Sequence, residues 1–166
     1  HKLRSVDDEG RLHTVMGTDF LGDGDAEQAD LTAAGAPGTA VNLNHPTRHQ
    51  YLPDGRLLSA SWHTHKLRTW DPATGRVHVV AGNLPGLDAA SAADPAGAHP
   101  LATAQFNQPV DVQVTPEGDA YVLDMRNERV RWVSFEAGTV ETVAGSGEKG
   151  YCGEGPALET CFNFPK

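Results

Sequence analysis

One feature limits what this chain can fold into more than any other: it repeats itself at an interval of 63 residues. Asn44-His45-Pro46 returns as Asn107-Gln108-Pro109, and Pro53-Asp54-Gly55 as Pro116-Glu117-Gly118. Lys66-Leu67-Arg68 returns as Arg129-Val130-Arg131, and Val80-Ala81-Gly82 as Val143-Ala144-Gly145. An earlier copy survives as Lys2-Leu3-Arg4 and Val15-Met16-Gly17, and a later one opens at Asn163-Phe164-Pro165. Landmarks recurring in one fixed order mark a repeat architecture, in which each copy is one small unit that needs its neighbours to bury its apolar surface.

Within a copy the pattern is that of strands. Val110-Asp111-Val112-Gln113-Val114 alternates apolar and polar residues, and Pro116-Glu117-Gly118 turns the chain. Ala120–Leu123, Val130–Val133 and Thr139–Val143 follow, broken at Asp124-Met125-Arg126-Asn127 and Glu136-Ala137-Gly138. Four short strands with tight turns make one antiparallel sheet. A lone small sheet with two apolar faces is unstable in water, and radial stacking of such sheets covers both faces and shields the edges. The expected fold is therefore all-β: a β-propeller of four-stranded antiparallel blades.

The copies divide the chain as follows. Residues 1–17 carry the last two strands of a blade, and 43–82 and 106–145 are full blades. Residues 18–42, 83–105 and 146–166 connect them, rich in Gly, Ala, Asp and Pro. The run Ala89–Ala93 fits a helical turn. Such connections are expected on one face near the central channel, where propellers commonly bind ligands.

These residues resemble the NHL-repeat family. Gly22-Asp23-Gly24 and Gly153-Glu154-Gly155 match its glycine-acid loop, and Leu43-Asn44-His45-Pro46 and Phe106-Asn107-Gln108-Pro109 its second element. Thr64–Arg68 and Asn127–Arg131 match the naming segment, and Thr142-Val143-Ala144-Gly145 the close. The resemblance implies a ring that usually has six blades. This chain therefore reads as a piece of a longer propeller, with a ring completed by other chains as the alternative. The family includes scaffolds, receptor ectodomains and a few enzymes, so the resemblance speaks to fold more than to function.

Composition narrows the partners. The net charge is −9, from 13 basic and 22 acidic side chains, a field that repels a phosphate backbone; no nucleic acid partner is expected. No apolar run is long enough to span a membrane. Cys152 and Cys161 enclose a short loop, as a disulfide worth about 2–3 kcal/mol or as two free thiols. The disulfide is the preferred reading, and it brings a secreted or periplasmic setting.

Candidate chemistry is sparse. His45, His49, His63 and His65 form a histidine set in which His63-Thr64-His65 would place two imidazoles on one face of a strand, a zinc-like geometry. Against it, His65 falls on the family's repeat position, paralleled by His1, where it would support a turn. Asp23 and Asp25, with Asp30, offer hard oxygen ligands suited to calcium, but Asp and Gly are equally what tight turns need. No cofactor is called for; zinc and calcium are the cations these two sets would take. Asp124 and Asn127 are expected to bond turn backbone amides, with Ser61 and Thr64 in their places one copy earlier. Arg4, Lys66, Arg68, Arg129 and Arg131 recur because the third strand repeats, and are expected to be ion-paired strand surface. Trp62, Trp70 and Trp132 are expected between blades, with Trp62, just before a turn, the candidate for stacking on a ligand.

No nucleophile elbow, phosphate loop or metalloprotease helix occurs. The expected function is a non-enzymatic scaffold recognising a protein or a glycan. The alternatives are a metal-dependent propeller lyase or hydrolase using the histidine set, and a structural subunit of an extracellular assembly.

Overall fold

The structure is a computed structural model and describes residues 1–22, 30–82 and 86–166. Three antiparallel sheets follow one another along the chain. The first pairs β1 (Leu3–Val6) with β2 (Leu12–Met16). The second runs β4 (Pro46–Tyr51), β5 (Leu57–Ser61), β6 (Lys66–Asp71) and β7 (Arg76–Ala81) as a meander from inner to outer edge, with the two-residue β3 (Ala36–Pro37) beyond β7. The third repeats that order with β9 (Pro109–Val114), β10 (Ala120–Asp124), β11 (Arg129–Ser134) and β12 (Thr139–Ala144), and β8 (His99–Pro100) beyond β12.

Period-two patterning makes these strands and sets which side chains are covered. Along β10, Ala120, Val122 and Asp124 are buried while Tyr121 is exposed. β5 is buried at every position, as expected of an interior strand with a blade on either face. The apolar side chains meet between sheets. Leu58, Ala60, Leu67 and Ala81 join Phe106, Val112, Val122, Val133 and Val140 in one core between the second and third sheets. Leu3, Met16, Val41, Leu43, Leu57 and Val77 form a second core between the first and second. Each sheet is thus a blade that is stable only through its neighbours.

The connections depart from the expectation in two ways. Those at 18–42 and 83–105 each contribute a fifth, two-residue strand to the outer edge of the blade that follows, and the described part of the first lies along the periphery. Arg76 on β7 donates to the carbonyls of Ala34 and Gly35, and Gly38 donates to the Gly75 carbonyl. These residues cover the outer strand rather than stand over the channel. The reason is that an open outer strand presents a row of unpaired amides and carbonyls, and the connection is the segment at hand to satisfy them. In the second connection Ala89–Ala93 forms a short helix, α1, with Asp88 accepting from the Ser91 amide at its N-terminus.

A bond between blades recurs three times. His1 Nδ1 accepts from the His45 amide at 2.9 Å, His65 Nδ1 from the Gln108 amide at 3.1 Å, and a Glu128 carboxylate oxygen from the Phe164 amide at 2.8 Å. Apart from His1, all of these residues have left-handed backbone, with φ between 51° and 58°. At that geometry the side chain leaves its own turn and reaches the entry of the next blade. His65 therefore latches neighbouring blades, a role the expectation of turn support did not include.

Candidate functional site

Because the strands alternate in direction, the entries to the inner strands, the exits from the outer strands and the turns between second and third strands lie at one end of each blade. Trp62 stands in such a turn, half-buried, and lines two adjoining grooves. The larger, 330 Å³, lies between the starts of β4 and β9 and is bordered by Thr47, Arg48, Val110, Asp111 and Lys166. The smaller, 180 Å³, continues toward Gln108, Met125, Arg126 and Phe164. The indole N–H of Trp62 is buried and has no acceptor among the described residues. His45 meets Trp62 edge-on at 5.7 Å between ring centres, and His63 meets it at 4.6 Å.

The histidine set comes only partly together. His45 and His63 lie 4.7 Å apart by ring centres, and His1 packs edge-on against His45 at 4.6 Å. His49, in the middle of β4, instead borders a separate groove with Leu3, Arg4 and Tyr51, and His65 is engaged with Gln108. Among the described residues no three His, Cys, Asp or Glu side chains are grouped to hold a metal ion. Asp23 and Asp25 lie outside the described residues. Asp30 is buried and taken up by two cations: Arg68 Nε donates to it at 2.8 Å, and Lys66 Nζ lies 3.9 Å away.

That pair corrects the reading of the basic stripe. Lys66, Arg68 and Arg131 are fully buried rather than strand surface. A buried guanidinium needs a carboxylate and further acceptors close by, and both blades supply them. Arg131 lies 3.5 Å from Asp124 and donates to Ser91 Oγ on α1 at 2.8 Å. Asp124 also accepts from the Asn107 amide and from Asn127 Nδ2, each at 2.7 Å, and Asn127 donates to the Gly86 carbonyl. Burial pushes the Asp124 carboxyl up to about 7, against the opposing pull of the Asn107 amide and of Arg131. Arg4, at the same repeat position in the first blade, is exposed.

Of the other tryptophans, Trp70 packs against the core between the first two blades. Trp132 instead meets Tyr121, its partner across β10 and β11, edge-on at 4.6 Å between ring centres. Cys152 and Cys161 are joined in a disulfide, with Cα atoms 5.4 Å apart.

Sequence reasoning missed Arg48, Asp111, Arg126 and Phe164 at the grooves, and Lys149 over the ring of Phe164. Phe164 had a signal, since the middle residue of each Asn-x-Pro landmark (His45, Gln108, Phe164) falls on this end of its blade. The cations had none, because they do not repeat.

No protein-family profile matches the chain. The curated Protein SUPPRESSOR OF QUENCHING 1, chloroplastic, of Arabidopsis thaliana is 28% identical over 101 residues, which are 61% of this chain and 9% of that protein. A solved protein of unknown function from Bacteroides thetaiotaomicron superposes on 99% of this chain and 36% of its own, with a TM-score of 0.68 and 18% identity. An auxiliary nutrient binding protein from the same organism matches 70% of this chain and 30% of its own, with a TM-score of 0.52 and 23% identity. The chain is an arc of β-propeller blades. It spans about a third of the length of each of these propeller-like neighbours, and likeness at this identity shows the fold alone. Among the described residues no helix is long and apolar enough to cross a membrane.

Proposed function

We propose that the chain belongs to an NHL-type propeller acting as a non-enzymatic recognition scaffold, with the Trp62 grooves as its binding surface. The observation that carries this is the aromatic Trp62, half-buried and lining both grooves where they adjoin. A half-buried tryptophan supplies a large, rigid contact area at little entropic cost, as at many recognition surfaces. The repeat pattern supports the NHL assignment. The disulfide supports a secreted or periplasmic setting. The solved neighbour described as an auxiliary nutrient binding protein is consistent with a binding role.

The reading is tested by screening the full chain against glycan and extracellular-protein panels. Trp62→Ala, with an unchanged unfolding midpoint, is expected to lose the binding of the parent protein. Binding that Trp62→Ala leaves intact would overturn the site. Stoichiometric zinc in purified protein, lost on His63→Ala, would overturn the non-enzymatic reading in favour of a metal-dependent one.

A further inference from the structure

The two grooves differ from the rest of the surface in charge. Elsewhere most basic side chains have a carboxylate beside them: Lys2 has Asp19, Arg11 has Asp7 and Glu9, and Arg56 has Asp54. Arg126 and Lys149 have none within ion-pair reach among the described residues, although acids outnumber bases by nine in this chain. Both sit on the ring of Phe164, Lys149 Nζ at 3.5 Å and the Arg126 guanidinium at 5.5 Å from its centre. Arg126 spends only its Nε, on Gln108 Oε1 at 2.8 Å, which aims the guanidinium and leaves both terminal nitrogens for a ligand. At the other end of the grooves Arg48 is held by Asp111 at 3.1 Å, so the acidic side chain among the described lining residues is already neutralised.

An acidic protein that gathers uncompensated cations beside Trp62 and Phe164 is arranged for an anion with flat, partly apolar faces. We propose that these grooves bind an acidic saccharide, a chain of uronate units, with ring faces against Trp62 and carboxylates toward Arg126 and Lys149. This rests on the recognition reading above and names the ligand class for the same site. A saccharide fits better than an acidic peptide for two reasons. An extended peptide gains its affinity by adding a strand to a free sheet edge, and the outer edges of both blades are already covered by β3 and β8. A volume of 330 Å³ between strand ends also accepts a ring or two but not a helix.

The test is calorimetric titration of the full chain with hexamers of galacturonate, mannuronate and guluronate, each beside its methyl-esterified, uncharged counterpart, and with hexaglutamate. At least one uronate hexamer is expected to bind about tenfold or more tighter than its ester, and to weaken as salt rises. Arg126→Glu and Lys149→Glu, both at exposed positions, are each expected to weaken it about tenfold without moving the unfolding midpoint. If an ester or hexaglutamate binds as tightly as the uronates and Trp62→Ala abolishes that binding, the ligand class is wrong and the recognition site stands. If none of the probes binds, the uronate assignment falls, and the glycan and protein panels decide the wider reading by themselves. If Trp62→Ala leaves uronate binding unchanged, both fall.

Discussion

The second and third blades bury the same arginine and neutralise it from opposite directions. In the second, Arg68 takes its carboxylate from the connection, at Asp30, and donates to the hydroxyl of Thr64 in the turn after the second strand, where Ser61 stands at the position of Asp124. In the third, Arg131 takes its carboxylate from the end of the second strand, at Asp124, while the connection offers the hydroxyl of Ser91. Acid and hydroxyl have exchanged places. What the repeat holds constant is therefore a charge balance around one buried guanidinium, not the residue that supplies it.

The largest expected effect comes from breaking the balance in the second blade. Asp30→Ala removes the carboxylate between Arg68 and Lys66, and the loss is expected to be about 3–5 kcal/mol in urea unfolding. Moving the third blade's solution into the second sharpens the point: adding Ser61→Asp to Asp30→Ala is expected to restore more than about 1 kcal/mol, because the new acid stands where Asp124 stands. If the double variant is no more stable than Asp30→Ala, the two positions are not interchangeable and the comparison fails.

The third blade's arrangement carries a pH dependence. The Asp124 carboxyl, ordinarily near 3.8, is raised to about 7 in the folded protein, chiefly by burial. The folded state thus holds a proton that the unfolded chain releases. The resulting stabilisation is full below pH 3.8 and is lost as pH rises through about 7, an effect on the order of a few kcal/mol. Unfolding midpoints across that range should show this decline in the parent protein and lose it in Asp124→Asn. A slope that persists in the variant would place the titrating group elsewhere.

A smaller effect separates the connections. The segment after the third blade is closed by Cys152–Cys161, whereas the connection at 18–42 has no cysteine. Cys152→Ser with Cys161→Ser is expected to cost about 2–3 kcal/mol, since a loop of this size restricts the unfolded chain by that much. Reduction of the parent protein should reproduce the shift, and a double variant that unfolds at the parent's midpoint would show the bridge to be energetically idle.

Much of this was legible in the sequence, for reasons that also explain what was not. Strand alternation and turn residues are local, so the blades followed from period-two runs and from Pro53-Asp54-Gly55 with its copy. The helix at Ala89–Ala93 is local too. Burial of Arg68 and Arg131 is not, because the acid that permits it sits 38 residues away in one blade and 7 in the other, a separation no fixed-spacing motif reveals. Nor could spacing divide the four histidines. A one-residue step along β4 changes the face a side chain points to, and left-handed backbone at His45 and His65 redirects both rings.

The latch between blades offers the finest comparison, because the same bond is made by histidine at 65 and by glutamate at 128. A neutral imidazole accepts the Gln108 amide through Nδ1, and a doubly protonated one has no lone pair there to offer. A carboxylate keeps its acceptor down to a much lower pH. His65→Leu removes the acceptor from a partly buried amide and is expected to cost about 1 kcal/mol at pH 8. His65→Glu copies the third blade's latch and should retain most of that stability. The two variants then separate packing from hydrogen bonding: equal losses in Leu and Glu would mean that the imidazole contributes by shape. Loss in Leu alone would mean that the blades are held at this point by one accepted hydrogen bond, repeated from blade to blade by whichever side chain the left-handed residue carries.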